Sequence, residues 1–289
     1  MSVAVSVITL THNKLPYTQR CLPGLLQTSF SNWELIIVDN GSTDGTVEWL
    51  LHNFQPAGEK HGIKVTVLQN KSNIGCSTSR NQGAGVARGQ KLVFVDNDVT
   101  LRSKNWLSKL ASILDSSQTI GMAGPKLVYP FPPYNIQFAG GAVSPSGRVQ
   151  FMGRGESRED PRYNYRREVQ CFISACFMIK RDIFEKAGGF DEAFNPVEYE
   201  DIDLSYRVRS MGYTIIYEPS IEMYHFESVT TTGTPSLPNT YLIIKNGMLF
   251  KQRWRHMFER ENGPADSEAK WRNIETRRID EIKDLPLLE

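Results

Sequence analysis

From residue 3 to residue 98 the chain repeats one rhythm: a short apolar run of β-forming residues, a polar turn, and a segment with helical periodicity. Each strand of such an alternation is buried on both faces, so the pattern specifies an α/β fold with a parallel sheet covered by helices. The strands fall at 3–10 (VAVSVITL), 34–38 (ELIIV), 64–68 (KVTVL) and 92–95 (LVFV). The first helix opens at Pro16, a residue suited to the first helical position, and turns Leu22, Leu25 and Leu26 inward, with Pro23-Gly24 bending or shortening it. The second carries Val47, Trp49, Leu50 and Leu51 after the turn at 39–45, and the third runs over about 77–87.

The second half is less regular. Gly124-Pro125 and the run 130–133 predict a break in the chain. The polar stretch 144–170, with Arg148, Arg154, Arg158, Arg162, Arg166 and Arg167, predicts a mobile surface loop or lid. A buried strand at 171–179, a helix over about 200–211 ending at Gly212, and two strands near 214–217 and 221–225 follow. The segment 241–258 mixes apolar and basic residues and can be an interfacial membrane helix or a helix packed on the main domain. After Gly263 the density of charge predicts a terminal exposed helix.

Composition narrows the class. With 33 basic and 32 acidic residues the chain lacks the excess charge of a dedicated nucleic-acid binder. Its four cysteines form no C-x-x-C pair, which speaks against structural zinc and for a reducing compartment. The first residues offer no basic n-region or cleavage site, and no uncharged run approaches the ~18 residues of a membrane span. The expectation is a cytoplasmic chain, soluble or at most peripheral at the inner face of the membrane.

In an open α/β sheet the ligand crevice lies beyond the carboxyl ends of the strands, and here those ends are polar: Thr11-His12-Asn13, Asp39-Asn40, 70–73 (NKSN) and Asp96-Asn97-Asp98. Parallel strands run the same way, so groups about 25 to 30 residues apart in sequence meet on one rim. A rim this polar suits a nucleotide-sized ligand. Asp96 and Asp98 close an extended run, where the pleat can send both carboxylates to one side to hold a divalent cation; the same tripeptide also makes a plain turn.

Glu200, Asp201 and Asp203 open a helix, where acids cap free N–H groups and complement the dipole, and where one of them can also serve as general base to an acceptor hydroxyl. Helical spacing puts Glu200 and Asp203 on one face and sends Asp201 elsewhere. His225 ends an apolar strand; it either packs there or, joined to carboxylates and diphosphate oxygens, suits Mn2+ better than Ca2+. Arg80, near a helix start, offers a fork of donors that can grip phosphate or lie in solvent. His12, His52, His61 and His256 have no comparable setting. The glycines of GAGVARG at 83–89 lack dinucleotide-binding spacing, and no Walker lysine loop, G-x-S-x-G or H-E-x-x-H occurs.

Taken in order, VITLTHN, IIVDNGSTDGT, NKSNIGCSTSRNQG, LVFVDNDV, GGFDEAF, YEDIDLSYRVRSMGY and a later histidine resemble the family-2 glycosyltransferases of GT-A fold, nearest to bacterial rhamnosyltransferase-like members, over about residues 3–228. The resemblance implies a mostly parallel Rossmann-like sheet flanked by helices. It divides the chain into a nucleotide-sugar-binding half at 1–125, an acceptor-binding and catalytic half at 126–230, and a C-terminal helical extension at 231–289. It also implies an inverting transferase that uses a divalent metal, Mn2+ or Mg2+, and moves a sugar from a UDP- or dTDP-linked donor to a hydroxyl of a glycan, lipid-linked or protein acceptor. In that alignment of motifs Asp39 matches the acid that contacts the nucleobase, Thr11 and Asn13 line the nucleotide cleft, and Asn73 and Arg80 lie near the nucleotide. Asp98 matches the direct metal ligand, Asp96 the residue facing the donor ribose or sugar, and His225 a third metal or diphosphate contact. Asp201 matches the general base and Glu200 its acceptor-orienting neighbour. The alternatives are a catalytically silent nucleotide-sugar-binding protein of the same fold, and a nucleotidyltransferase, for which the glycine-rich basic loop after strand one is missing.

Overall fold

The computed structural model describes residues 3–227, 239–269 and 271–288. Its opening repeat reads β1 (Val5–Thr11), α1 (Leu15–Leu25), β2 (Trp33–Asp39), α2 (Thr46–Trp49) continued through a π-helical turn (Leu50–Phe54) into α3 (Gln55–Lys60), β3 (Lys64–Gln69), α4 (Cys76–Val86) and β4 (Lys91–Val95). The near-continuous apolar strands are explained by burial on both faces: Val7, Leu35, Ile37, Leu92, Val93 and Phe94 are all inaccessible to solvent. β1 pairs in parallel with β2 and β4, and β2 with β3, so this part of the sheet runs β3-β2-β1-β4. The chain leaves β1 in one direction and returns on its other side at β4. That reversal is the topological switch point at which a crevice opens beyond the strand ends.

The rest of the chain adds β5 (Val99–Leu101), α5 (Trp106–Ser116), β6 (Ile120–Val128), β7 (Ile136–Phe138), β8 (Gly141–Val143), β9 (Val149–Phe151), β10 (Arg167–Glu168), β11 (Cys176–Lys180), α6 (Arg181–Lys186), α7 (Glu200–Ser210), β12 (Thr214–His225) and α8 (Asn239–Phe258). β11 runs antiparallel between β4 and β6, and β12 lies parallel to β6, so a single mostly parallel sheet spans both halves of the chain.

Several expectations are corrected here. Gly124-Pro125 does not break the chain but sits inside β6. Glycine is needed for close approach, since a Cβ at Gly124 would stand 2.4 Å from the Phe172 ring. Proline is tolerated because β11 pairs only with Met122 and Ala123, and β12 shifts register just past Pro125. The two strands expected around 214–225 are one bulged strand, β12, and the strand expected at 171–179 begins only at Cys176.

The stretch 144–170 is ordered rather than a loose lid. β8 and β9 form a hairpin, β10 joins the edge of the main sheet, Arg154 is buried, and Arg167 lies 4.4 Å from the Tyr217 ring. The tail after Gly263 contains no α-helix among the described residues. It returns as an extended strap, with Ile282 buried, the Lys283 carbonyl accepting from Arg20 and the Pro286 carbonyl accepting from Tyr224.

Candidate active site

One cleft of about 640 Å³ opens at the switch point, a volume that fits a small-molecule ligand of nucleotide-sugar size. Its walls contain Thr11 and His12 from the end of β1, Asn40 after β2, Asn73 before α4, Arg80 on α4 and Asp96 to Asp98 after β4. The polar strand ends therefore do meet. They are knitted by side-chain bonds: the Asn40 amide donates to Asn73 Oδ1 at 2.8 Å, and its own oxygen accepts from the Ile74 N–H at 3.0 Å. Gly41 permits this, because its φ is +78° and a Cβ there would lie 2.6 Å from Ser72 Cα.

Asp39 and Asn13 are absent from the lining. Asp39, 1% exposed, accepts from Thr11 Oγ1 and from the N–H groups of Gly41 and Ser42, so its oxygens build the turn. Asn13 turns its oxygen to the Thr43 N–H. The three bonds to Asp39 build the turn and leave its carboxylate an acceptor position on Oδ1.

Asp96, Asp98 and His225 each bring a ligand-type atom within 4.8 Å of the others. The cause is strand register: β5 and β12 pair antiparallel with His225 opposite Val99, so the residue before Val99 lies beside the imidazole, and His225 Nε2 is 3.4 Å from Asp98 Oδ1. Asp98 and His225 are both 6% exposed. Burial alone would lower the histidine pKa; the Asp98 charge overrides this and holds it above the ordinary value. Two carboxylates and an imidazole form a donor set that fits a first-row divalent ion.

Glu200 and Asp201, at the start of α7, line the same cleft. Helical spacing predicted that Glu200 and Asp203 would share a face with Asp201 turned away, and the structure reverses this. Glu200 and Asp201 both line the cleft, whereas Asp203, wholly buried, accepts from Trp254 and Arg207 on the far side. Glu200 and Asp201 are the first two residues of α7, whose N-terminal end lines the cleft together with Val197, Glu198 and Tyr199, so position at the helix end rather than on one face decides which acids reach it. Asp201 accepts from the Ser174 and Ile202 N–H groups, both at 2.7 Å. Burial pushes its carboxyl up to about 7, Glu200 adds to the push, and the Ser174 bond and Arg80 oppose it.

Arg80, expected to offer a free fork to phosphate, has that fork filled: it donates to Glu200 at 2.6 Å and to Asp96 at 2.9 Å, tying the two walls together. Its pKa is held above the ordinary value despite burial, chiefly by Asp96. Glu200 Oε2 is buried and has no hydrogen-bond partner among the described residues.

Sequence reasoning placed His12 on the rim with Thr11 and Asn13 but did not single out Gln137, Glu198, Glu227 or Trp271, all of which line the cleft. Glu198 is a further carboxyl that burial pushes up to about 7. Its place depends on a loop at φ +85°, which leaves no periodic signal in sequence.

The sheet order, the antiparallel β11 and the crevice at the switch point define the GT-A class of glycosyltransferase fold. GalNAc-T7, solved with UDP, GalNAc and Mn2+, superposes with a TM-score of 0.63 at 18% identity over 78% of this chain and 44% of that one. The chain belongs to glycosyl transferase family 2, whose sequence model matches residues 6–188. The match ends before α7 and β12. Uncharacterized protein y4gI of Sinorhizobium fredii is 31% identical over 87% of this chain, which spans only 27% of that relative. The N-acetylglucosaminyl-diphospho-decaprenol L-rhamnosyltransferase of Mycobacterium tuberculosis is 25% identical, over 82% of this chain and 80% of its own.

Proposed function

We propose that this chain transfers a sugar, with inversion, from a UDP- or dTDP-linked donor to a hydroxyl of a glycan, lipid-linked or protein acceptor. The observation that carries the reading is one cleft lined both by the Asp96, Asp98 and His225 cluster and by Asp201, a carboxyl raised to about 7. Thr11, Asn13 and Asn73 serve the nucleotide, and Asp39, which also shapes the turn at the rim, contacts the nucleobase. Asp98 and His225, with Asp96 beside them, hold a divalent ion, Mn2+ or Mg2+. When bound, it supplies positive charge to the departing diphosphate.

Asp201 takes the acceptor hydroxyl proton as the acceptor oxygen bonds to the anomeric carbon and the bond from that carbon to the diphosphate breaks on the opposite face. Glu200, fixed by Arg80, offers its unpaired Oε2 to orient the acceptor. A thermal-shift panel of UDP-, dTDP- and GDP-sugars with Mn2+, followed by detection of released nucleoside diphosphate, tests the reading. Stabilisation by a UDP- or dTDP-sugar together with diphosphate release is the expected result. Pyrophosphate release, or binding without turnover of any acceptor, overturns it.

The acceptor side is apolar, with Val149, Phe151, Val197, Ile243 and the exposed Trp271 on the wall. Next to it α8 exposes Tyr241, Ile244 and Met248, together with Lys245, on a helix that carries no acid. The opposite face of α8 packs through Leu242, Phe250, Trp254 and Phe258, as expected of a helix packed on the main domain. No described helix is long and apolar enough to cross a membrane. We place the exposed face against the anionic inner surface of a membrane, where it brings the cleft to a lipid-linked acceptor. Co-sedimentation with anionic vesicles at low salt is expected; equal recovery with and without vesicles removes this contact.

A further inference from the structure

We infer that Gln137 is a positioning residue that fixes the tautomer of His225, and that Glu227, clamped by Arg154, holds Gln137 the right way round. The inference rests on the reading that Asp98 and His225 hold a cation. Gln137 is 1% exposed on β7, flanked by the buried apolar side chains of Ile136 and Phe138. A glutamine this deep requires partners at both ends of its amide. It has them: the oxygen lies 3.0 Å from His225 Nδ1, and the nitrogen donates to Glu227 Oε1 at 3.0 Å.

The two contacts fix one proton. An ionised carboxylate only accepts, so the nitrogen end of the amide must face Glu227 and the oxygen end must face the imidazole. The amide oxygen also only accepts. Nδ1 therefore carries a proton whether the ring is neutral or charged, and Nε2, 3.4 Å from Asp98 Oδ1, is the nitrogen left to meet a cation. A ligating histidine held this way by its other nitrogen presents Nε2 to the ion and no other atom.

Glu227 is itself held. Arg154 donates to both of its oxygens, at 2.5 and 3.0 Å, and its own Nε donates to the Arg272 carbonyl at 2.8 Å. The Arg154 guanidinium lies 4.0 Å from the centre of the Trp271 ring. A line of contacts thus starts in the C-terminal strap, crosses the cleft wall and ends on the imidazole. The strap contributes to the order of the cation site without touching it.

The direct test is the long-range 1H–15N spectrum of the wild-type protein at about pH 9, with the His225 signals assigned by their loss in His225→Asn. The expected result is a proton on Nδ1, both without metal and with Mg2+. An Nδ1 without a proton overturns the inference, whatever the variants do.

Calorimetry with Mn2+ alone gives the second readout. Gln137→Leu is expected to weaken binding about 10–100-fold, the usual effect of losing a partner behind a ligating histidine. The exchanged pair Gln137→Glu with Glu227→Gln keeps an acceptor at Nδ1 and is expected to bind Mn2+ within a few-fold of wild type. Wild-type affinity in Gln137→Leu overturns the inference. If Mn2+ fails to bind wild type at all, the cation reading falls, while the tautomer spectrum still decides the role of Gln137.

Discussion

Asp201→Asn is expected to lower kcat by about 10²–10⁴-fold, the range a positioned general base contributes, while leaving donor-induced thermal stabilisation near wild type. The substitution keeps the shape of the side chain and an oxygen for the Ser174 N–H, loses the acceptor for the Ile202 N–H, and removes the ability to accept a proton. The pH dependence follows from the same group. Burial, reinforced by Glu200, raises Asp201 to about 7, so the base is protonated and idle below that value. Wild-type kcat should rise about tenfold per pH unit below 7 and level off above it.

The folding consequence has the opposite sense. The folded carboxyl binds its proton more tightly than the unfolded one, whose pKa is about 3.9. Its contribution to stability is therefore full below about 3.9 and is lost as pH rises through about 7. The charged form that works is the form the fold resists. Turnover by Asp201→Asn within threefold of wild type at pH 8 would remove the residue from the base role.

The nucleotide-facing rim was legible because it rests on local signals. Apolar runs that end in Asp-Asn, Thr-His-Asn or Asp-Asn-Asp mark the carboxyl ends of parallel strands, and topology alone then gathers Thr11, Asn40, Asn73 and Asp96 to Asp98. Asp201 and His225 were reached through the resemblance. What brings them to the rim is long-range: β11 inserted antiparallel beside β4, so that the Ser174 N–H holds Asp201 while the Ala175 carbonyl accepts from the Asp96 N–H, and a β5–β12 register that no periodicity announces.

The misreadings share one cause. Gly124-Pro125 looked like a break, Arg80 like a free fork, and Asp201 like a residue turned from its neighbours, because each was judged by its own segment. A ring from residue 172, two carboxylates from other elements and the approach of α7 to the cleft by its N-terminal end decided the outcome. His12, placed on the rim by its strand end, has its Nδ1 2.9 Å from the Asn40 carbonyl, a partner supplied by the neighbouring strand end.

Asp98→Asn is expected to abolish the stabilisation that Mn2+ gives the wild-type protein and to lower kcat/KM by at least about 10³-fold, given that a bound ion supplies several kcal/mol of charge stabilisation to the transition state. At an ion concentration of ~100 times Kd, binding to the folded state adds about 2.7 kcal/mol. For a chain of this size, each kcal/mol moves Tm by roughly 2–4 °C, so the wild-type shift should be about 5–10 °C and easily read.

The variant keeps the backbone bond from the Phe226 N–H to the Asp98 carbonyl, so the chain path at the site is preserved. With the carboxylate gone, the group that overrides burial at His225 is lost as well, and the imidazole titrates lower. An apo Tm close to wild type together with a vanished Mn2+ shift assigns the effect to the ion. A persistent shift of wild-type size would mean that Mn2+ binds elsewhere, and Asp98 would lose its place as a ligand.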